Sequence, residues 1–149
     1  MSQNEHQDIT IVLIEDNPDD AELAMRSLNS FQLKNELVWL KDGASALQYL
    51  FGELPSENHK KNDKPKLILL DLKLPKVDGI EVLRRIKSDQ ELKTIPVVVM
   101  SSSKEPIDLK TCYELGANSF VTKPINYKEF IEVTKNVSLY WLLVNQTPD

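Results

Sequence analysis

Cysteine, histidine and glycine are scarce in this chain, and each shortage removes a class of function. The single cysteine, Cys112, leaves no partner for an internal disulfide; it reads as a packing residue of its helix and suits a reducing cytoplasm. The two histidines, His6 and His59, lie far apart, so the His/Cys cluster of a typical zinc site is missing and both read as solvated surface. Four glycines in 149 residues build no linker rich in Gly or Ser. No apolar run approaches the ~20 residues of a membrane span, and the polar stretch 1–8 reads as a disordered tail without a signal-peptide core. A net charge of −5 argues against a general nucleic-acid-binding surface. What remains is an ordinary globular composition at the size of one domain.

Four consecutive large apolar residues, Leu67-Ile68-Leu69-Leu70, are too few for a helix and read as a strand buried on both faces. The run ends in Asp71, an ionisable group that water-poor surroundings penalise. Open α/β sheets place their ligand sites at that end of their strands. Ile9–Ile14 repeats the pattern and runs straight into Glu15 and Asp16. Asn17-Pro18-Asp19-Asp20 then starts a helix: Asn17 can cap, Pro18 suits the first position, and the two aspartates favour the positive end of the dipole. That reading accounts for Asp19 and Asp20 in full and leaves Glu15 and Asp16 unexplained. Ala21, Ala24, Met25, Leu28 and Phe31 keep helical spacing after them.

A short strand over 36–40 closes at the turn pair Asp42-Gly43, and Ala44, Leu47, Leu50 and Phe51 mark a second helix. Residues 52–65, with two prolines and no apolar period, read as an exposed and mobile loop insertion. Beyond the Asp71 strand, Asp78-Gly79 turns into a third helix ending near Ser88-Asp89. The next buried strand is 95–100, closed by Ser101-Ser102-Ser103. A polar helix over 105–115 stops at Gly116, and a fifth strand, Ser119–Thr122, ends in Lys123-Pro124. Asn126 caps a long final helix over 127–144, leaving 145–149 as a tail. Five alternations of strand and helix predict an α/β domain over 9–144: a doubly wound parallel sheet joined by right-handed crossovers.

Parallel strands share a C-terminal edge, with neighbours ~4.8 Å apart. Glu15, Asp16, Asp71, Ser101 and Lys123 can therefore converge. At 4 Å and an effective dielectric near 20, each pair of like charges costs roughly 4 kcal/mol, and Lys123 offsets only part of that. A hard divalent cation such as Mg²⁺, which takes oxygen ligands and often bridges to phosphate, would offset the rest. An ionised aspartate needs no general base to act as a nucleophile, and carboxylates form aspartyl phosphates.

On these residues the chain resembles a CheY-like response regulator receiver domain, over nearly its whole length. The motifs are Val-Leu-Ile-Glu-Asp-Asn, Leu-Ile-Leu-Leu-Asp-Leu-Lys-Leu-Pro, Val-Val-Val-Met-Ser-Ser and Phe-Val-Thr-Lys-Pro, in the order and at the separations of the family. The resemblance implies a flavodoxin-like fold of strand order 2-1-3-4-5. It implies that Asp71 accepts a phosphoryl group from a histidine kinase or a phosphotransfer protein. Asp16, Asp71 and the backbone carbonyl of Lys73 would hold Mg²⁺, with Glu15 acting through a metal-bound water. Ser101 and the Ser102 N–H would bind the phosphoryl oxygens and Lys123 would pair with them. Phe120 and Ser101 take the switch positions, and a cis bond is expected at Lys123-Pro124. Ser101 stands where threonine is more frequent, Phe120 lacks a tyrosine's hydroxyl, and the 52–65 loop exceeds the compact version. That loop, with Leu-Lys-Thr-Ile-Pro-Val-Val-Val before the serines, resembles single-domain regulators that partner phytochrome-type kinases.

By the same resemblance, Lys73 and Ser103 would flank the phosphorylation site at positions that in the family often tune autodephosphorylation. Neither offers an acid or amide to position water, so the resemblance implies a phosphorylated lifetime of minutes or longer. The expected protein is a cytoplasmic signalling switch, not a metabolic enzyme, with no DNA-binding domain after the last helix. That helix carries an apolar stripe through Phe130, Val133, Val137 and Trp141, then is apolar all round over 139–144. An end apolar on every face needs a second burying surface, and a homodimer through 130–144 is expected to supply it. Tyr113 and Tyr140 read as packing residues. The alternatives are a pseudo-receiver scaffold, a haloacid-dehalogenase-type phosphatase and a flavin-binding protein. The phosphatase needs an acid two residues after its nucleophile, where Pro18 and Lys73 stand, and the flavin protein needs a phosphate loop where Glu15-Asp16-Asn17 stands.

Overall fold

The computed structural model describes residues 9–30, 35–52, 64–124 and 126–148. The expectations for the 1–8 tail, Phe31, His6, His59 and most of the 52–65 loop lie outside the described residues. Five strands, β1 (Ile9–Ile14), β2 (Asn35–Leu40), β3 (Leu67–Leu70), β4 (Val97–Ser101) and β5 (Ser119–Thr122), form one sheet in the order β2-β1-β3-β4-β5. All four pairings are parallel. The helices are α1 (Pro18–Asn29), α2 (Gly43–Leu50), α3 (Gly79–Ser88), α4 (Pro106–Leu115) and α5 (Tyr127–Leu139).

The central strands are apolar throughout because each side of the sheet has its own core. Leu67 and Leu69 of β3 join Ile11, Leu13, Val98 and Met100 beneath α1 and α5. Ile68 and Leu70 point the other way, joining Val12, Ile14, Val97 and Val99 beneath α2, α3 and α4. The domain is doubly wound, as its sequence pattern predicts.

Register then sets the site. Ile14 lies opposite Leu70, so the residues that follow them, Glu15 and Asp71, leave adjacent strands together. The ladder runs one bond past the strands: Asp71 N–H donates to the Ile14 carbonyl and Glu15 N–H to the Leu40 carbonyl, each at 3.0 Å. On the far side Ser101 pairs with Thr122, and Lys123 N–H donates to the Ser101 carbonyl at 2.7 Å.

Helix starts follow the local chemistry. Asn17 Oδ1 accepts from the N–H groups of Asp19 and Asp20, and Asp42 caps α2 by accepting from Ser45 N–H at 2.7 Å. Gly79 opens α3 against the backbone that carries Asp71. Its N–H donates to the Leu72 carbonyl at 2.9 Å, and a Cβ there would lie 2.4 Å from the Asp71 carbonyl oxygen. Only glycine admits that approach.

The last helix departs from expectation. The α-helix ends at Leu139, and Tyr140–Val144 form a π-helical turn closed by Asn145 N–H on the Tyr140 carbonyl at 2.9 Å. The wider turn seats Leu142 in the core and lets the Trp141 indole N–H donate to Ser119 Oγ at 2.8 Å. Leu143 and Val144 face outward, 58% and 65% exposed. The apolar stripe is also narrower than expected: Phe130 is buried, Val133, Val137 and Trp141 only partly, and the small polar residues Thr134 and Ser138 take the innermost places. Tyr113 and Tyr140 are half exposed, and Tyr140 packs edge-on against Trp141 with ring centroids 5.1 Å apart. No helix among the described residues is long and apolar enough to cross a membrane.

Candidate functional site

Glu15, Asp16 and Asp71 meet at the C-terminal edge of β1 and β3, with one carboxylate oxygen from each within 4.8 Å of the others. Glu15 and Asp71 are 4% and 7% exposed, while Asp16 faces solvent. Three hard oxygen donors this close, two of them shielded from water, form a set suited to a small divalent cation, so the residues fit the Mg²⁺ expected from the sequence. Cys112, the one thiol, is the buried residue of α4 and packs into the core beneath α2, α3 and α4.

Lys123 enters from the end of β5. Its Nζ donates to Glu15 Oε1 at 2.8 Å and to Asp20 Oδ2 at 2.9 Å, and lies 3.5 Å from Asp71 Oδ2. Burial and then the Asp71 charge push Glu15 up to about 7, against the opposing pull of Lys123. Burial pulls the lysine down, but hydrogen bonds to Glu15 and Asp20 outweigh it and hold its ammonium above the ordinary lysine range. Glu15 is held from three sides: Asn17 N–H donates to its Oε2 at 3.2 Å, its own N–H is in the ladder, and the Trp39 indole donates to its carbonyl at 2.8 Å.

Ser101, fully buried at the end of β4, does not address Asp71 here. Its Oγ accepts from Ser103 N–H at 3.0 Å. Ser103 Oγ in turn donates to Asp108 Oδ2 at 2.6 Å and accepts from Glu105 N–H at 3.2 Å, so this loop is fastened to the first turn of α4. Ser102 and Lys73 are exposed, and Phe120 is half-buried against the core beneath α2, α3 and α4. A cleft of about 250 Å³ runs from Lys73 and Leu74 to Ser103 and Asp108. One expectation is corrected. Among the described residues no peptide bond is cis, so the Lys123-Pro124 bond is trans. An X–Pro amide already prefers trans by ~0.5–1 kcal/mol, and Lys123 reaches the acids from that isomer.

Asp20, Trp39 and Asp108 belong to this neighbourhood and were not singled out as site residues from the sequence. Asp20 was fully explained by the helix start, and the other two carried no motif.

The model of the response regulator receiver domain matches residues 11–135. Response regulator Rcp1 of Synechocystis sp. is 38% identical over 142 residues, covering 95% of each chain. The probable methanogenesis regulatory protein FilR2 of Methanothrix harundinacea is 38% identical over 140 residues, 93% of this chain and 86% of that one. Among solved structures, the phosphorylated cyanobacterial phytochrome response regulator RcpA superposes with a TM-score of 0.89 at 39% identity, covering 96% of this chain and all of that one. The Mn²⁺-bound form of Rcp1 does so with a TM-score of 0.87 at 38% identity, covering 95% of this chain and 99% of that one. With its acids, serine and lysine gathered at one sheet edge in the family's order, this chain belongs to the response regulator receiver domains and is of the kind found among phytochrome response regulators.

Proposed function

We propose that the chain is a Mg²⁺-dependent phosphoryl acceptor at Asp71, a receiver over 9–144 that switches an interaction surface in a two-component pathway. One observation carries this reading: the oxygens of Glu15, Asp16 and Asp71 lie within 4.8 Å of one another, with the Lys123 ammonium against two of those acids. Asp16, Asp71 and the Lys73 carbonyl would hold the cation, with Glu15 acting through a metal-bound water. When bound, the cation supplies positive charge for the phosphoryl oxygens. Support for a divalent ion comes from the Mn²⁺-bound form of the similar Rcp1.

Asp71 acts as the nucleophile. Its carboxylate oxygen bonds to phosphorus as the donor's nitrogen–phosphorus bond breaks, and the imidazole leaves. Lys123, the Ser101 hydroxyl and the Ser102 N–H take the charge that stays on the phosphoryl oxygens. Phe120 follows Ser101 as the loop is drawn in. The donor is a histidine kinase of phytochrome type or a phosphotransfer protein, a reading supported by the RcpA likeness. The protein acts in the cytoplasm as a signalling switch that turns over only its own acyl phosphate. Exposed Tyr140, Leu143 and Val144 supply the contact for a homodimer through 130–144.

Acetyl phosphate with Mg²⁺ tests the chemistry. Intact mass should rise by one phosphoryl group in the wild type, and not in Asp71→Asn or after chelation. Beryllofluoride with Mg²⁺ should shift the NMR spectrum, and no shift would favour a phosphorylation-independent scaffold. Light scattering at tens of micromolar should give a dimer, and a monomer would remove that part of the reading.

A further inference from the structure

Asp20 sits on the first turn of α1, where a helix dipole alone would explain an acid. Its carboxylate nevertheless reaches across to β5. Lys123 Nζ donates to Asp20 at 2.9 Å and to Glu15 at 2.8 Å, while Asp71 stands off at 3.5 Å. An ammonium has three N–H donors, and two are committed to acids other than the phosphoacceptor. Glu15 is one of the three clustered carboxylates, and Asp20 is outside that cluster. We propose that Asp20 is a positioning residue for phosphoryl transfer: it anchors Lys123 off Asp71 in the unphosphorylated protein and releases it when an anion arrives.

This rests on the reading of Asp71 as phosphoacceptor. The two anchors differ in how readily they let go. The Glu15 side chain is 5% exposed and the Asp20 side chain 28%. A carboxylate at Asp20 regains water when Lys123 leaves, so the exchange is shallow, whereas Glu15 stripped of its partner would stay dry. The anchor is also rigid. Asn17 Oδ1 accepts from the N–H groups of Asp19 and Asp20 at 2.8 and 3.2 Å, which fixes the turn that aims Asp20 at the lysine. Removing the Asp20 charge takes away the more exposed of the two competitors for the ammonium and leaves the three-acid cluster, Glu15 included, intact.

The test compares Asp20→Asn and Asp20→Glu with Asp19→Asn in the full chain. Asp19 is exposed on the same turn and makes no ion pair with Lys123 among the described residues, so Asp19→Asn removes an equal charge nearby. The probes are beryllofluoride with Mg²⁺, followed by the Trp39 indole N–H resonance, and Mg²⁺ alone. Asp20→Asn should tighten the beryllofluoride Kd about threefold to fivefold and quicken labelling by acetyl phosphate by a similar factor. Its Mg²⁺ Kd should move no further than that of Asp19→Asn, and Asp20→Glu should stay near wild type. An Asp20→Asn response equal to that of Asp19→Asn, or weaker beryllofluoride binding, overturns the anchor while Asp71 chemistry stands. A wild type that takes neither beryllofluoride nor phosphoryl overturns the reading of Asp71, and the anchor with it.

Discussion

Lys123 Nζ lies 2.8 Å from Glu15 Oε1 but 3.5 Å from Asp71 Oδ2, so the ammonium is nearer the neighbouring acid than the residue proposed to react. Both carboxylates are buried, and the lysine is the cation that makes them tolerable together. Lys123→Met should therefore destabilise the metal-free protein by ~3 kcal/mol. Lys123→Met also lifts the pull that holds Glu15 down at about 7. Adding Glu15→Gln should therefore restore most of that loss in alkaline buffer, where the stranded Glu15 is ionised, and little of it at neutral pH. Urea midpoints for the two singles and the double variant measure it. A double variant no more stable than Lys123→Met in alkaline buffer would show that the lysine's burial, not its charge, matters.

Gly79 sets the second prediction. A Cβ there would press on the Asp71 carbonyl and on Leu72 backbone atoms. Gly79→Ala should cost ~1–3 kcal/mol by overpacking, and should also slow labelling of Asp71 by acetyl phosphate because the backbone of the proposed nucleophile must move. Thermal unfolding and labelling rate, read together, check both halves.

The phosphorylated form should decay over minutes or longer. Ser103 Oγ is held on Asp108 at 2.6 Å and Lys73 is exposed, so neither places an acid or amide to orient an attacking water. Ser103→Asn supplies one and should shorten the lifetime severalfold. Intact mass followed after donor removal gives both values.

Cys112 gives a pH signature. Burial first, then the charges of Asp108 and Asp78, push its thiol from the ordinary 9.0 up to about 11. The folded state keeps the proton where the unfolded chain has lost it. The thiol's contribution is thus fully present below pH 9.0 and is lost as pH rises through about 11. Cys112→Ala should flatten the fall in urea-unfolding free energy over that window. An aromatic disulfide reagent should also label the native wild type at pH 8 no faster than the protein unfolds.

Much of this was legible from residue order because it depends on short-range rules. Leu67–Leu70 and the run from Val97 to Met100 are apolar on both faces, so strand, parallel pairing and burial follow from a few residues each. Once the strands are parallel, the acids after β1 and β3 must share an edge, and the three-carboxylate group follows. Asp20 was missed for the opposite reason: a sufficient local explanation hid a partner 103 positions away. The π turn was missed because a run apolar at every position has no phase, and nothing in 139–144 distinguishes a widened turn from a continued helix. Thr134 and Ser138 fill the innermost places on α5, where a stripe of large apolar residues leads one to look for bulk.

The indole of Trp141 is tied to Ser119, the first residue of β5, and Lys123 leaves the other end of that four-residue strand. Whatever grips the Tyr140–Val144 turn therefore touches one end of a four-residue strand, and the ammonium that lies among Glu15, Asp20 and Asp71 follows the other end. A binder on that turn and a charge arriving at the acids would meet the two ends of a single strand.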